Sequence, residues 1–198
     1  MRHAILSLLT LYLCLAPLPA AGHPHVFMDV ELTFVFDAQG LAGIRQRWTF
    51  DEFFSVQLVD MVDANDDGRL SEAEARKIEQ EAFANLKNFN YFNHIRVNGR
   101  EIVFGRATQF VARQKGGIVS YEFVLPCSVP AKAGSQSTIT ASVYDQSYYT
   151  DVLLSEAKPG LLGAEGLAVD VKVRDARTVN TEWGPIRPKE VLLSFTPR

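Results

Sequence analysis

The chain has 198 residues, 20 Lys and Arg against 23 Asp and Glu, a formal charge of −3, and 47% hydrophobic side chains. That length supports one domain with a real core. The scattered, nearly balanced charge argues against a nucleic-acid or anionic-membrane surface, and no low-complexity tract or internal repeat interrupts the chain.

Met1-Arg2-His3 is a short basic start, and Ala4 to Ala16 is an apolar run of signal-peptide length. Pro17-Leu-Pro-Ala-Ala-Gly22 adds helix breakers and the small residues that a signal peptidase needs. The run falls short of the roughly 20 apolar residues that a spanning helix requires, and no later stretch qualifies. The sequence therefore predicts a signal peptide over 1–22, cut after Ala20, Ala21 or Gly22, and one β-rich domain over 23–198. That domain is expected in the periplasm, with no membrane span after cleavage. Cys14 would leave with the leader. Cys127, flanked by Leu125, Pro126 and Val129, reads as a small buried hydrophobe with no disulfide partner.

His25 to Phe36 alternates as a strand, Asp37-Ala-Gln-Gly40 turns, and Leu41 to Trp48 returns. The period then changes. Phe50, Phe53, Phe54, Leu58, Met61 and Val62 share a helical face, with Thr49 and Glu52 as a capping box. A second stripe runs through Ala75, Ile78, Ala82, Leu86 and Phe89. From His94 onward the chain reads as strands, with turns at Asn98-Gly99 and Gly116-Gly117. Further strands are expected over 137–145, 148–155, 167–173 and 190–195, and Trp183 to Pro188 is expected to be irregular. The fold class expected is α+β: a mainly antiparallel β-sandwich of six to nine strands, with a helix–calcium loop–helix inserted at about 50–89.

The stretch DANDDGRLSEAE between the two helical stripes carries the strongest chemical signal. Calcium wants six to eight oxygens, and a twelve-residue loop supplies them at fixed positions. Asp63, Asn65 and Asp67 fall at positions 1, 3 and 5. Gly68 falls at position 6, where the chain must turn sharply and a Cβ is expected to clash. Arg69 would give its backbone carbonyl, Ser71 a hydroxyl or a bridged water, and Glu74 both carboxylate oxygens. Ser71 to Glu74 is also a capping box, which accounts for those two residues but not for the four upstream. Lone extracellular loops bind weakly and mainly hold structure, so a structural ion is expected.

Gly-His-Pro-His-Val-Phe at 22–27 is a second candidate, because imidazole suits nickel, cobalt, zinc and copper. Cleavage after Gly22 would free the amine of His23, giving a brace-like nitrogen pair with His25 or the distant His94 as a further ligand. Pro24 excludes a chelate through its own backbone nitrogen. The alternative is simply a polar amino terminus entering a strand. Asp145 and Asp151 in DQSYYTD read either as turn residues beside packing tyrosines or as donors completing that site.

HPHVF, RQRWTFDEFFS, the acidic loop, NYFNHIRVNG and SVYDQSYYTD together resemble an uncharacterised bacterial family. Its members are described as the periplasmic component of an ABC-type transport system. The resemblance implies an exported protein associated with metal transport, with an inner-membrane metal permease or ABC transporter as partner. With no Ser–His–Asp or Cys–His pattern in the chain, the expectation is a non-enzymatic calcium-binding accessory of nickel-, cobalt- or zinc-type transport. Two alternatives stand: a calcium-stabilised interaction domain, and a copper-dependent redox protein using an N-terminal histidine.

Overall fold

Alternation along β1 (Val26–Asp37) buries Val26, Met28, Val30, Leu32, Phe34 and Phe36, and turns Phe27, Asp29 and Glu31 outward. A computed structural model describes residues 24–198, and this strand sets its frame. β2 (Gly40–Phe50) returns antiparallel to β1, pairing Met28 with Phe50 and Asp37 with Gly40. Beyond the helical insertion come β3 (Asn93–Val97), β4 (Arg100–Ile102), β5 (Thr108–Lys115), β6 (Ile118–Pro130) and β7 (Ser137–Val143). The chain ends with β8 (Thr150–Leu154), β9 (Gly160–Leu162), β10 (Leu167–Asp175), β11 (Val179–Thr181), β12 (Gly184–Ile186) and β13 (Lys189–Pro197).

The first sheet runs β5-β6-β2-β1-β8, with β9 also on β1; the second runs β10-β13-β7-β3-β4. Their inner faces meet in one core. Ile44 and Trp48 of β2 and Val119, Tyr121, Phe123 and Leu125 of β6 come from the first sheet; Ile95, Ile139, Ala141, Val191, Leu193 and Phe195 come from the second. Phe36 and Phe195 meet edge to face with centroids 5.2 Å apart, joining the two layers. The fold is α+β and mainly β, as the alternating pattern implies.

Two expectations need correction, and the mainly antiparallel sheets hold one exception. Thirteen strands occur among the described residues, not six to nine, and β9, β11 and β12, at three residues each, are too short to show a period. β8 and β9 run parallel to β1 inside an otherwise antiparallel sheet. The stretch expected to be irregular, 183–188, contains β12, which forms a small hairpin with β11. Cys127 is half-buried, and burial pushes its thiol up to about 11, so it carries no thiolate at neutral pH.

Candidate functional site

The acidic loop lies between α1 (Glu52–Val62) and α2 (Glu72–Glu81). Thr49 is still in β2, so the expected Thr49–Glu52 capping box does not form. Asp51 caps α1 instead, accepting from the Phe54 amide at 2.9 Å and, through its other oxygen, from the Phe27 amide at 2.8 Å. One carboxylate thus starts the helix and ties it to β1. At the second helix the expected capping box is present: Ser71 Oγ accepts from the Glu74 amide, and Glu74 accepts from the Ser71 amide.

α1 buries Ser55, Leu58, Val59 and Val62. The expected stripe is therefore rotated, leaving Phe53 70% and Met61 55% exposed. A polar residue took the inward place: Ser55 Oγ accepts from the Val119 amide at 2.9 Å, fixing the helix to β6. The second stripe also changes course. After α2 the chain enters a 3-10 segment over Phe83–Phe92 that is broken by non-helical backbone at Phe89, Asn90 and Tyr91; Phe83 lies in the core and Phe89 is exposed.

Within the loop, the Asp63 carboxylate accepts from the Gly68 amide at 2.7 Å and from the Asn65 and Asp67 amides at 3.3 Å. Those bonds, the Gly68 contact foremost, hold the Asp63 carboxyl below its ordinary pKa. Gly68 has φ +68°, but a Cβ there would meet nothing within 4 Å. The position needs glycine for its backbone conformation, not for room, which corrects the expected clash. Glu74 is only 8% exposed and closes the loop: Oε1 accepts from Ala64 at 3.1 Å and Oε2 from Ser71 at 2.8 Å. The Ser71 amide is the main cause of its depressed pKa, against an opposing push from the Asp63 charge.

Asp63, Asn65, Asp67, Ser71 and Glu74 carry side-chain oxygens along one loop, to which Arg69 adds a backbone carbonyl. This donor set fits a hard cation. Each carboxylate oxygen has a second lone pair, so an accepted amide bond does not forbid coordination. Asn65 Nδ2 donates to Asp67 Oδ2 at 2.9 Å, and the Arg69 amide donates to Asp67 Oδ1 at 2.8 Å. Among the described residues no three His, Cys, Asp or Glu side chains converge on one point.

Gln114, on β5, was not singled out by sequence reasoning. Its Oε1 accepts from the Leu70 amide at 3.0 Å and its Nε2 donates to the Gly68 carbonyl at 3.3 Å. At 44 residues from Leu70, it carries no local signal that could have found it.

His25 immediately precedes β1 of the first sheet, whereas His94 lies on β3 of the second. His23 and the signal-peptide segment 1–22 lie outside the described residues. His25 is exposed beside Tyr149, with ring centroids 5.1 Å apart. His94 sits on β3 in the other sheet, its ring stacked on Tyr144 at 3.6 Å. Asp145 is buried and spent on its own turn, accepting from the Ser147 amide and hydroxyl and from the Thr150 amide at 3.0 Å. These bonds make it a turn residue. Asp151 pairs in register with Phe27 and lines a groove of about 970 Å³ with Asp29, Glu31, Tyr148, Arg187 and Lys189. Burial raises its pKa.

His94 yields a pH prediction. Burial first of all lowers its pKa below 6.5, against smaller opposing effects of the Tyr144 carbonyl and Glu101. The unfolded chain then binds more protons in the window just below 6.5, so stability falls as the pH drops through it. Thermal unfolding between about pH 7 and 5.5, a range above the ordinary carboxylate pKa, is expected to show a falling Tm that flattens in His94→Phe. Equal slopes in both proteins would remove His94 as the cause.

A family model described as "Protein of unknown function (DUF1007)" matches residues 8–178. The chain is similar to an "Uncharacterized 15.5 kDa protein in trpE 3'region" of Spirochaeta aurantia, 24% identical over 136 residues, covering 68% of this chain and 96% of that protein. It is also similar to an "Uncharacterized protein" of Haemophilus influenzae, 27% identical over 131 residues, covering 65% of this chain and 61% of that protein. None of these descriptions names a ligand or an activity.

Proposed function

We propose that this chain, which belongs to the DUF1007 family of proteins of unknown function, is an exported calcium-binding domain. The reading is supported by the spacing of Asp63, Asn65, Asp67, Ser71 and Glu74 within one twelve-residue loop, across which Glu74 accepts from the Ala64 and Ser71 amides. Arg69 would add its backbone carbonyl. Bound calcium would supply positive charge that offsets the repulsion among Asp63, Asp66, Asp67, Glu72 and Glu74. The role proposed for the ion is structural: it holds α1 and α2 against the β5–β6 hairpin.

The wider role proposed is a non-catalytic periplasmic accessory of metal transport, acting beside an inner-membrane metal permease or ABC transporter. His25, one of the two histidines expected to hold a transition metal, is exposed just before β1, and imidazole suits nickel, cobalt or zinc. No helix among the described residues is long and apolar enough to cross a membrane. A second reading, a calcium-stabilised interaction domain, is favoured by Phe53 and Val56, which stand exposed on α1, the helix that leads into the loop.

Calorimetric titration tests the calcium reading. One ion per chain is expected, with Kd on the order of 10⁻⁴ to 10⁻³ M and a loss of roughly tenfold or more in Glu74→Gln, because ligand charge sets affinity. No uptake at millimolar calcium, or equal affinity in the variant, would sink it. Nickel, cobalt, zinc and copper titrations of the calcium-loaded protein, with His25→Ala as control, then separate the two roles. Metal uptake unchanged by that substitution leaves the interaction domain.

A further inference from the structure

We infer that Gln114 is a positioning residue of the calcium loop: its side-chain amide aims the Arg69 carbonyl into the loop from the neighbouring sheet. The inference rests on the calcium reading above and assigns a role to a residue outside the twelve-residue segment.

Peptide planarity carries it. In a trans peptide the C=O and N–H point in opposite directions, so fixing one fixes the other. The Leu70 N–H belongs to the same peptide as the Arg69 carbonyl, and it donates to Gln114 Oε1 at 3.0 Å. With that N–H turned out toward β5, the Arg69 carbonyl is turned away from β5, toward the loop. The preceding peptide is set in the same manner. The Gly68 carbonyl accepts from Gln114 Nε2 at 3.3 Å, so the Arg69 N–H on its other side faces inward, where it donates to Asp67 Oδ1 at 2.8 Å. One side chain thus orients two consecutive peptides. The pair also fixes the amide's own orientation, since only the oxygen can accept from Leu70 and only the nitrogen can donate to Gly68.

This matters because Arg69 is the one position where the loop offers backbone in place of side chain. A side-chain ligand can rotate to meet an ion, but a carbonyl must be aimed beforehand or reoriented on binding. Gln114 itself is held at the end of β5 by pairing with Val119 of β6, whose amide is taken by Ser55 of α1. The loop, both strands of the hairpin and α1 therefore form one linked frame. It couples occupancy of the loop to order in β5.

The test is calcium titration of the full chain, wild type against Gln114→Leu and Gln114→Asn. Leu removes both hydrogen bonds at similar volume, and Asn keeps the amide but falls one methylene short. Loss of two ordinary hydrogen bonds predicts a calcium affinity weakened by roughly tenfold in Gln114→Leu, by somewhat less in Gln114→Asn, and an unchanged one-to-one stoichiometry. Hydrogen exchange supplies a readout independent of metal: the calcium-free wild type is expected to protect the Leu70 amide, and both variants to expose it. Wild type that takes up no calcium would overturn the calcium reading. Wild type that binds while both variants bind within twofold of it would overturn the positioning role alone, as would unchanged Leu70 exchange.

Discussion

Phe83→Ala is expected to destabilise the calcium-free chain by about 3–5 kcal/mol, the range for removing a large aromatic ring from a core. Phe83 is 3% exposed. Its ring lies 4.2 Å from that of Phe110, 4.8 Å from Phe123, 5.3 Å from Tyr91 and 6.3 Å from Trp48, between centroids. Those partners come from β5, β6, the 3-10 segment and β2, so a single ring joins the helical insertion to the first sheet. It also borders an apolar cavity of about 200 Å³ shared with Phe54, Leu58 and Leu86, which truncation would enlarge. Calcium cannot make good that loss. With Kd near 10⁻⁴ to 10⁻³ M, about 10 mM calcium adds only about 1.4–2.7 kcal/mol. Urea unfolding with and without calcium would measure both quantities. A loss under about 1 kcal/mol would mean that the aromatic cluster repacks around the gap.

The same residue marks where sequence reading stopped. A helical period of 3.6 carried through Ala75, Ile78, Ala82, Leu86 and Phe89 places Phe89 inside and passes over Phe83. The chain instead leaves α2 at Glu81, enters a short 3-10 turn at Phe83 and breaks to non-helical backbone at Phe89, with Asn90 and Tyr91 at positive φ, so the α-helical period does not carry through. Propensity does not announce that switch, because the tertiary contacts of Phe83 decide it. In α1, Ser55 displaced the expected face for a comparable reason: a buried amide at Val119 needed an acceptor, and only the assembled fold supplies that need. What was legible was local. The long strands, the Asn98-Gly99 and Gly116-Gly117 turns, the Ser71–Glu74 capping box and the spacing of the acidic loop all depend on neighbours within a few residues. What was not legible was long-range: the parallel placement of β8 and β9 on β1, the grip of Gln114 on the loop, and the separation of His25 from His94. Segments that looked chemical also proved partly architectural. Asp145 shapes a turn, and Gln46, Tyr91 and Asn93, drawn from two of the quoted segments, lie inside the core.

Gln46→Leu is expected to cost about 2–6 kcal/mol although it makes the core more apolar, because two buried groups lose their partners at about 1–3 kcal/mol each. Trp48 Nε1 donates to Gln46 Oε1 at 2.8 Å, Gln46 Nε2 donates to Asn93 Oδ1 at 2.6 Å, and Asn93 Nδ2 donates to the Tyr91 carbonyl at 2.6 Å. Gln46 is fully buried, and Trp48, Tyr91 and Asn93 are 1% exposed. Leucine would leave the indole N–H and the Asn93 oxygen with no acceptor and no donor, and nothing apolar gained at the site matches that penalty. Gln46→Glu should be at least as damaging, since it keeps an acceptor for Trp48 but turns an acceptor toward Asn93 and brings a charge into the interior. The direction of the chain adds a structural consequence. Gln46 belongs to β2 in the first sheet and Asn93 to β3 in the second, so this amide pair sets how the two layers sit on each other, which apolar contacts alone leave loosely specified. Urea unfolding gives the energy, and near-ultraviolet circular dichroism reports the packing of Trp48. A loss below about 1 kcal/mol with an unchanged aromatic signal would show that the layers are held by the apolar core alone. A large loss with an altered signal would place the specification of the sandwich in three polar side chains.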